Sequence, residues 1–170
     1  MIDLKNKFVS IIMPTYNRDN IISDSISSVL NQTHTFFEFI IIDDGSTDET
    51  SSVVNAFNDE RIFYTKIKHS GLPAVARNYG AGISHGDLLA FIDDDDLWMV
   101  NKLKKCLQIK SELNDQIAII CSNEYYMDAD GNKSNILLQT NYESHYIRPE
   151  NLIFENIVSS CLLYTSDAAD

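Results

Sequence analysis

Short apolar runs alternate with longer amphipathic segments over most of the chain. The runs are typical of buried strands, and the amphipathic segments repeat their apolar residues every three or four positions, as helices do. This pattern predicts strands at residues 8–13, 37–42, 61–67, 88–92 and 117–122, and helices at residues 19–32, 48–57, 74–84 and 100–113. Because strands alternate with helices, we predict an α/β fold with a mostly parallel sheet and helices on both faces.

The remaining part of the chain has weaker signals. Residues 130–132 (Asp-Gly-Asn) predict a hairpin turn, and Pro149 marks a short helix at residues 148–156. Without repeats or a linker, residues 1–160 are predicted to form one domain. Residues 161–170 resemble a translated sequencing adaptor and are expected to be a non-native tail. On this hypothesis the domain is truncated at its carboxyl end.

Four consecutive carboxylates, Asp93–Asp96, directly follow the predicted strand at residues 88–92. They cannot continue into the buried environment of the strand, because an unpaired buried charge is very costly. They must therefore lie at the carboxyl end of the strand, where open α/β sheets bind ligands. Oxygen-only ligands indicate Mg²⁺ or Mn²⁺, and the alternative is a solvated acidic turn. Trp98 stands where a calcium-binding EF-hand loop requires glycine.

Composition limits the choice of partners. The net charge of −12 argues against binding to nucleic acids or anionic membranes. Three widely spaced cysteines predict reduced thiols and a cytoplasmic location. No stretch approaches the roughly 18 apolar residues of a membrane span. The four histidines show no metal-ligand spacing, so they are interpreted as structural or exposed.

Other loops offer candidate nucleotide contacts, although neither a dinucleotide-binding glycine motif nor a P-loop is present. Tyr16 can stack on a base, and backbone groups near Thr15 can bond its edge. Asp44 can accept the N3–H of uracil, with a turn or helix cap as the alternative. Arg77 can reach a base or a phosphate, with a surface ion pair as the alternative.

Three ordered motifs resemble those of the family 2 inverting glycosyltransferases. The first is residues 9–18 (VSIIMPTYNR), and the second is residues 41–48 (IIDDGSTD). The third is residues 76–80 (ARNYG) followed by residues 86–98 (GDLLAFIDDDDLW). The resemblance covers roughly residues 8–130.

This resemblance implies a nucleotide-sugar-binding fold of the GT-A type and assigns roles to site residues. It implies that Asp95 binds the metal in an Asp-x-Asp motif, and that Asp93 and Asp94 contact the ribose or metal-bound water. It also implies that the nucleoside is lined by Pro14, Thr15, Tyr16, Asp44 and Arg77.

The implied reaction is transfer of a sugar from a nucleoside-diphosphate donor, expected to be UDP-linked, with inversion. Mn²⁺ or Mg²⁺ would assist, and the acceptor would be a saccharide or a lipid-linked sugar in polysaccharide biosynthesis. The enzyme would then work in the cytoplasm or at the inner face of the membrane. The family's base lies in the acceptor-binding half, so the catalytic residue is unassigned and weak or no activity is expected from this chain alone.

Two alternatives remain open at this point. A nucleotidyltransferase or similar phosphate-handling enzyme would need a basic, glycine-rich loop after the first strand, where Arg18 is the only cation. The second alternative is a non-catalytic module that binds a nucleotide or a metal. Titration with UDP and Mn²⁺ separates the three hypotheses.

Overall fold

The computed structural model describes residues 7–112, 119–121 and 162–165. The chain divides into two compact units, one formed by Met1–Ile120 with Ser160–Asp170 and the other by Cys121–Ser159. Apart from Cys121, everything described belongs to the first unit. The predicted turn at residues 130–132 and the predicted helix at residues 148–156 lie outside the described residues.

Strands and helices alternate in the described part as the hydrophobic pattern predicts. The elements are β1 Val9–Thr15, α1 Ile22–Leu30, β2 Phe37–Asp43, α2 Thr50–Asn55, β3 Ile62–Lys66, α3 Pro73–Gly82, β4 Leu88–Phe91, α4 Lys102–Glu112, β5 Ile119–Cys121 and β6 Leu162–Thr165. The sheet order is β3-β2-β1-β4-β6-β5. Strands β1 to β4 run parallel, and β6 is antiparallel to β4. Within the described residues, no helix is both long and apolar enough to cross a membrane.

Two layers of helices cover the sheet, which confirms the predicted architecture. Ile11 and Met13 of β1 point into the larger core, which α1, α2 and α4 complete. Ile12 points to the opposite face and packs in a smaller core with Ala76 of α3. A Cβ atom added to Gly80 would lie 2.7 Å from the Ile12 side chain. The close approach of α3 to the sheet therefore depends on glycine at this position.

Strand β1 extends further than the sequence predicts, because Pro14 and Thr15 belong to it. Strand β4 pairs with β1 only from Val9 to Ile12. The Thr15 carbonyl faces β2, where it accepts the N–H of Asp44. The backbone groups of the preceding residue, Pro14, therefore face the opposite side, beyond the last residue of β1 that pairs with β4. A proline is tolerated there, since no neighbouring strand requires its missing N–H.

Strand β6 lies in the segment that the sequence analysis places outside the domain. Leu162–Thr165 pair with β4, with Tyr164 opposite Leu89. A sheet ladder uses backbone N–H and C=O groups, which every residue except proline supplies in full. Pairing therefore does not depend on the origin of the segment, and the domain boundary at residue 160 stays a prediction.

One ion pair before β3 gives a testable pH dependence. The Arg61 guanidinium donates to the Asp59 carboxylate at 2.6 Å, and this bond lowers the pKa of Asp59. Because the pKa of Asp59 is lower in the folded state than in the unfolded state, where it is about 3.9, the ionised carboxylate stabilises the fold at pH values above the unfolded-state pKa. This stabilisation is lost as the pH falls through the folded-state pKa. We expect Asp59→Asn to lower the free energy of unfolding by about 1 kcal/mol or less at pH 7. The free energies of unfolding of the wild type and Asp59→Asn, measured by denaturation at a series of pH values, should converge below about pH 4. A difference that stays constant down to about pH 2 would contradict this account.

Candidate active site

A cleft of about 340 Å³ opens at the carboxyl ends of the central strands. All eight residues that the sequence analysis selects line it, namely Pro14, Thr15, Tyr16, Asp44, Arg77, Asp93, Asp94 and Asp95. The structure adds Arg18, His69, Gly71, Pro73 and Ala76 to the lining. Residues from four separate loops therefore meet in one place, while the role of each residue stays a prediction.

Helix α1 holds the acidic loop that follows β4. The Ser25 hydroxyl donates to the Asp94 carbonyl oxygen at 2.9 Å, and the Trp98 N–H donates to Ser28 Oγ at 3.0 Å. Trp98 itself is buried. The loop is thus fixed at both ends, and its carboxylates project from a supported backbone.

The three carboxylates in the cleft have different surroundings. Asp93 accepts a hydrogen bond from the Arg77 guanidinium. Asp94 is almost enclosed, and burial raises its pKa, while the neighbouring Arg18 opposes the shift. The Asp95 side chain is 53% exposed and has an Arg18 nitrogen 3.6 Å away. Of the three, Asp95 is the carboxylate most available to a ligand.

The donor set fits a metal that binds together with a phosphate ligand. Within the described ranges, no three His, Cys, Asp or Glu side chains converge on a point that could hold a metal. Mg²⁺ characteristically uses only one or two carboxylates and completes its coordination with water and substrate phosphates. Asp95, exposed and oxygen-bearing, suits that mode of binding, whereas an all-protein cage does not fit.

Asp44 lies just after β2 and fastens the loop that precedes α3. Its two carboxylate oxygens accept the N–H groups of Ser70 and Gly71, each at 2.8 Å. Burial raises the pKa of Asp44, but these bonds outweigh burial and bring the pKa below its usual value. Each oxygen has a second lone pair. His69 Nδ1 also lies 3.1 Å from the oxygen that accepts the Gly71 N–H, so a ligand that bonds Asp44 would share the carboxylate with donors of its own loop.

The neighbouring acid, Asp43, faces away from the cleft and is fully buried. It accepts the Ser46 N–H at 2.6 Å and the hydroxyl of Tyr64. Burial and this bond raise the pKa of Tyr64. Asp43 thus shapes the turn that presents Asp44.

Tyr16 already has an aromatic neighbour in the cleft. Its ring stacks on His69, with the centroids 4.2 Å apart and the planes inclined by 22°. The interpretation of His69 as merely structural or exposed is therefore incomplete, because His69 lines the cleft. A single histidine in a loop forms no sequence motif, so its place in the cleft could not be predicted from the sequence. It becomes apparent only because the loops that carry Tyr16 and His69 meet in the folded chain.

Arg77 has a buried donor that no described acceptor satisfies. Its Nε atom is enclosed and has no hydrogen-bond partner among the described residues. A buried donor without an acceptor costs about 1–3 kcal/mol. Because protein atoms enclose this nitrogen, a ligand oxygen in the cleft would reach it only after the Arg77 side chain moves.

Comparison with known proteins agrees with this geometry. The sequence model described as "Glycosyl transferase family 2" matches residues 10–169. This chain belongs to glycosyl transferase family 2. The resemblance in its three motifs is thereby confirmed.

Curated relatives of this family member share part of its sequence. An uncharacterized glycosyltransferase from Rickettsia bellii (strain RML369-C) is 47% identical over 112 residues, which are 65% of this chain and 16% of the relative. The Escherichia coli protein named UDP-Glc:alpha-D-GlcNAc-diphosphoundecaprenol beta-1,3-glucosyltransferase WfgD is 33% identical over 153 residues, which are 90% of this chain and 56% of the relative.

The fold is shared with a solved glycosyltransferase. TarS 1-349 from S. aureus superposes with a TM-score of 0.72 at 25% identity, covering 94% of this chain and 47% of TarS. TarS 1-349 has also been crystallised with UDP and with UDP-GlcNAc. The predicted GT-A type fold is therefore confirmed. The chain spans about half the length of TarS 1-349 and of WfgD, and 28% of the longer TarS structure.

Proposed function

We propose that this family 2 member binds a UDP-linked sugar in the cleft and takes part in its transfer to an acceptor with inversion. The main observation that supports this proposal is that the loops after β1, β2 and β4 and the loop before α3 meet in one cleft. The printed name of WfgD includes UDP-Glc, and TarS has been crystallised with UDP and UDP-GlcNAc. Both support a UDP-linked donor for this chain.

The nucleoside would occupy the end of the cleft formed by Tyr16, Asp44 and His69. Tyr16 remains 41% exposed, so one face of its ring is available for a uracil base. Asp44 would accept the N3–H of uracil in addition to the donors of its own loop. Adenine offers no N–H at an equivalent ring position, so this contact would favour UDP over ADP.

The diphosphate would lie at the acidic end, near Asp95. Asp95 would hold Mn²⁺ or Mg²⁺, and a metal there would neutralise charge on the departing diphosphate. Asp93 and Asp94, each next to an arginine, would contact the ribose or metal-bound water. Arg77 lines the cleft with a side chain that is 29% exposed, and its accessible guanidinium nitrogens would donate to an oxygen of the sugar nucleotide.

Inversion requires a base on the acceptor side of the sugar. The cleft acids of the described residues are committed to the donor or to the fold in this proposal. We therefore assign the base and the acceptor site to other residues. By analogy with the name of WfgD, the acceptor would be lipid-linked, and the enzyme would work at the inner face of the membrane in polysaccharide biosynthesis.

The direct test is calorimetric titration of the chain with UDP and with ADP, each with and without Mn²⁺. We expect UDP to bind more tightly in Mn²⁺ than in its absence, and more tightly than ADP under both conditions. No UDP binding in Mn²⁺ would overturn the proposal. Equal affinities for UDP and ADP would overturn the assignment of a uracil-selective donor site.

A further inference from the structure

We infer that Arg18 serves as a counter-ion to the carboxylates of Asp94 and Asp95 while no metal is bound. When the sugar nucleotide binds, the Arg18 guanidinium moves to its diphosphate. This inference rests on the proposed function, since it concerns the same cleft. It adds a positioning residue to the donor site, and it predicts that metal binding without a nucleotide is suppressed.

The Arg18 guanidinium lies between two carboxylates. Its Nε is 3.4 Å from an oxygen of Asp94, and a terminal nitrogen is 3.6 Å from an oxygen of Asp95. It therefore sits against the carboxylate that is most available for a divalent cation. A single positive group neutralises part of two adjacent negative charges.

The backbone that carries this side chain is firmly held. The Arg18 N–H donates to Thr50 Oγ1 at 2.9 Å, and the neighbouring Asn17 N–H donates to Ser46 Oγ at 2.8 Å. The Arg18 carbonyl accepts the N–H of Ile22, the first residue of α1. The base of the side chain is thus fixed next to the acidic loop, while its guanidinium can still move.

The guanidinium contacts are loose, in contrast to those of the other arginine in the cleft. Arg77 makes a short hydrogen bond to Asp93. Both Arg18 contacts exceed the roughly 2.7–2.9 Å of a charge-assisted hydrogen bond, and its side chain is 44% exposed. Arg77 is built as a fixed partner, whereas Arg18 is built as an exchangeable one.

Exchange follows from charge. A divalent cation at Asp95 and the Arg18 guanidinium carry like charges beside the same carboxylate, so each disfavours the other. A donor diphosphate changes this balance, because it offers phosphate oxygens that the planar guanidinium binds well. Metal and nucleotide would therefore bind with positive coupling, since the diphosphate gives Arg18 a new partner.

The experiment measures Mn²⁺ binding to the nucleotide-free chain by electron paramagnetic resonance, and UDP binding in Mn²⁺ by calorimetry. Arg18→Gln should raise Mn²⁺ affinity roughly twofold to tenfold, the scale of two half-exposed ion pairs. It should lower UDP affinity in Mn²⁺ roughly tenfold, the scale of a charged hydrogen bond. Arg18→Lys keeps the positive charge but lacks the planar guanidinium, so the Mn²⁺ affinity of this variant should stay close to that of the wild type.

Two controls separate local from general effects. Lys104 is exposed on α4, so Lys104→Gln changes net charge equally without touching the cleft lining. In an Asp95→Asn background, Arg18→Gln should give no gain in Mn²⁺ affinity.

An equal gain in Lys104→Gln, or no gain in Arg18→Gln, would overturn the counter-ion role. Unchanged UDP affinity in Arg18→Gln would overturn the transfer to the diphosphate. If the wild type fails to bind UDP at all, the proposed function fails, while the Mn²⁺ titration still decides the counter-ion role.

Discussion

We expect that replacing Asp95 with asparagine removes the gain in UDP affinity that we propose for Mn²⁺. Asparagine keeps the size of the side chain but removes its negative charge, which the proposed divalent cation would need from this position. The expected loss in Mn²⁺ is several kcal/mol, the scale of a metal contact that stabilises developing charge. The measurement is calorimetric titration of UDP at fixed ionic strength, with and without Mn²⁺.

The pattern across conditions distinguishes this effect from misfolding. Without a metal, Asp95→Asn should bind UDP no worse than the wild type, because a negative charge near the diphosphate has been removed. Asp96→Asn is the matched control, since it removes the same charge one residue later and Asp96 is not among the residues that line the cleft. Wild-type UDP affinity of Asp95→Asn in Mn²⁺, on a folded sample, would refute the assignment of Asp95.

Asp44→Ala should weaken UDP binding by about 1.5–3 kcal/mol, the range for a hydrogen bond to a charged group. ADP binding should weaken less, because adenine does not donate the same N–H. The substitution also releases the N–H groups of Ser70 and Gly71. We therefore expect a lower melting temperature as well, which thermal unfolding would record.

Loss of loop anchoring and loss of a uracil contact are separated by nucleotide choice and by a second variant. Gly71 has a φ of +73°, and a Cβ atom added there would lie 3.9 Å from His69 Nε2, an ordinary contact. Gly71→Ala therefore strains the loop backbone without altering the Asp44 carboxylate. That variant should affect UDP and ADP equally. Equal losses for both nucleotides in Asp44→Ala would mean that Asp44 only anchors the loop.

The sequence by itself determined the order of elements and the position of the acids. Apolar runs that alternate with amphipathic segments depend on local spacing, so β2 and β4 could be recognised without any knowledge of their neighbours. The placement of Asp93–Asp96 at a strand end follows from the cost of burying charge, which is also a local argument. The eight selected residues share one cleft because parallel strands end at the same edge of the sheet.

Only the tertiary structure decided what those residues contact. Pro14 remains in β1 because β4 ends early beside it, and that register is a property of two strands far apart in sequence. Asp44 receives its donors from residues 26 and 27 positions later, and Arg18 meets Asp94 through a similar long-range approach. Such contacts depend on how loops converge over the sheet, and no spacing within one segment encodes that geometry. The exposure of Asp95, the stack on Tyr16 and the long contacts of Arg18 to two carboxylates therefore become visible only in the folded chain.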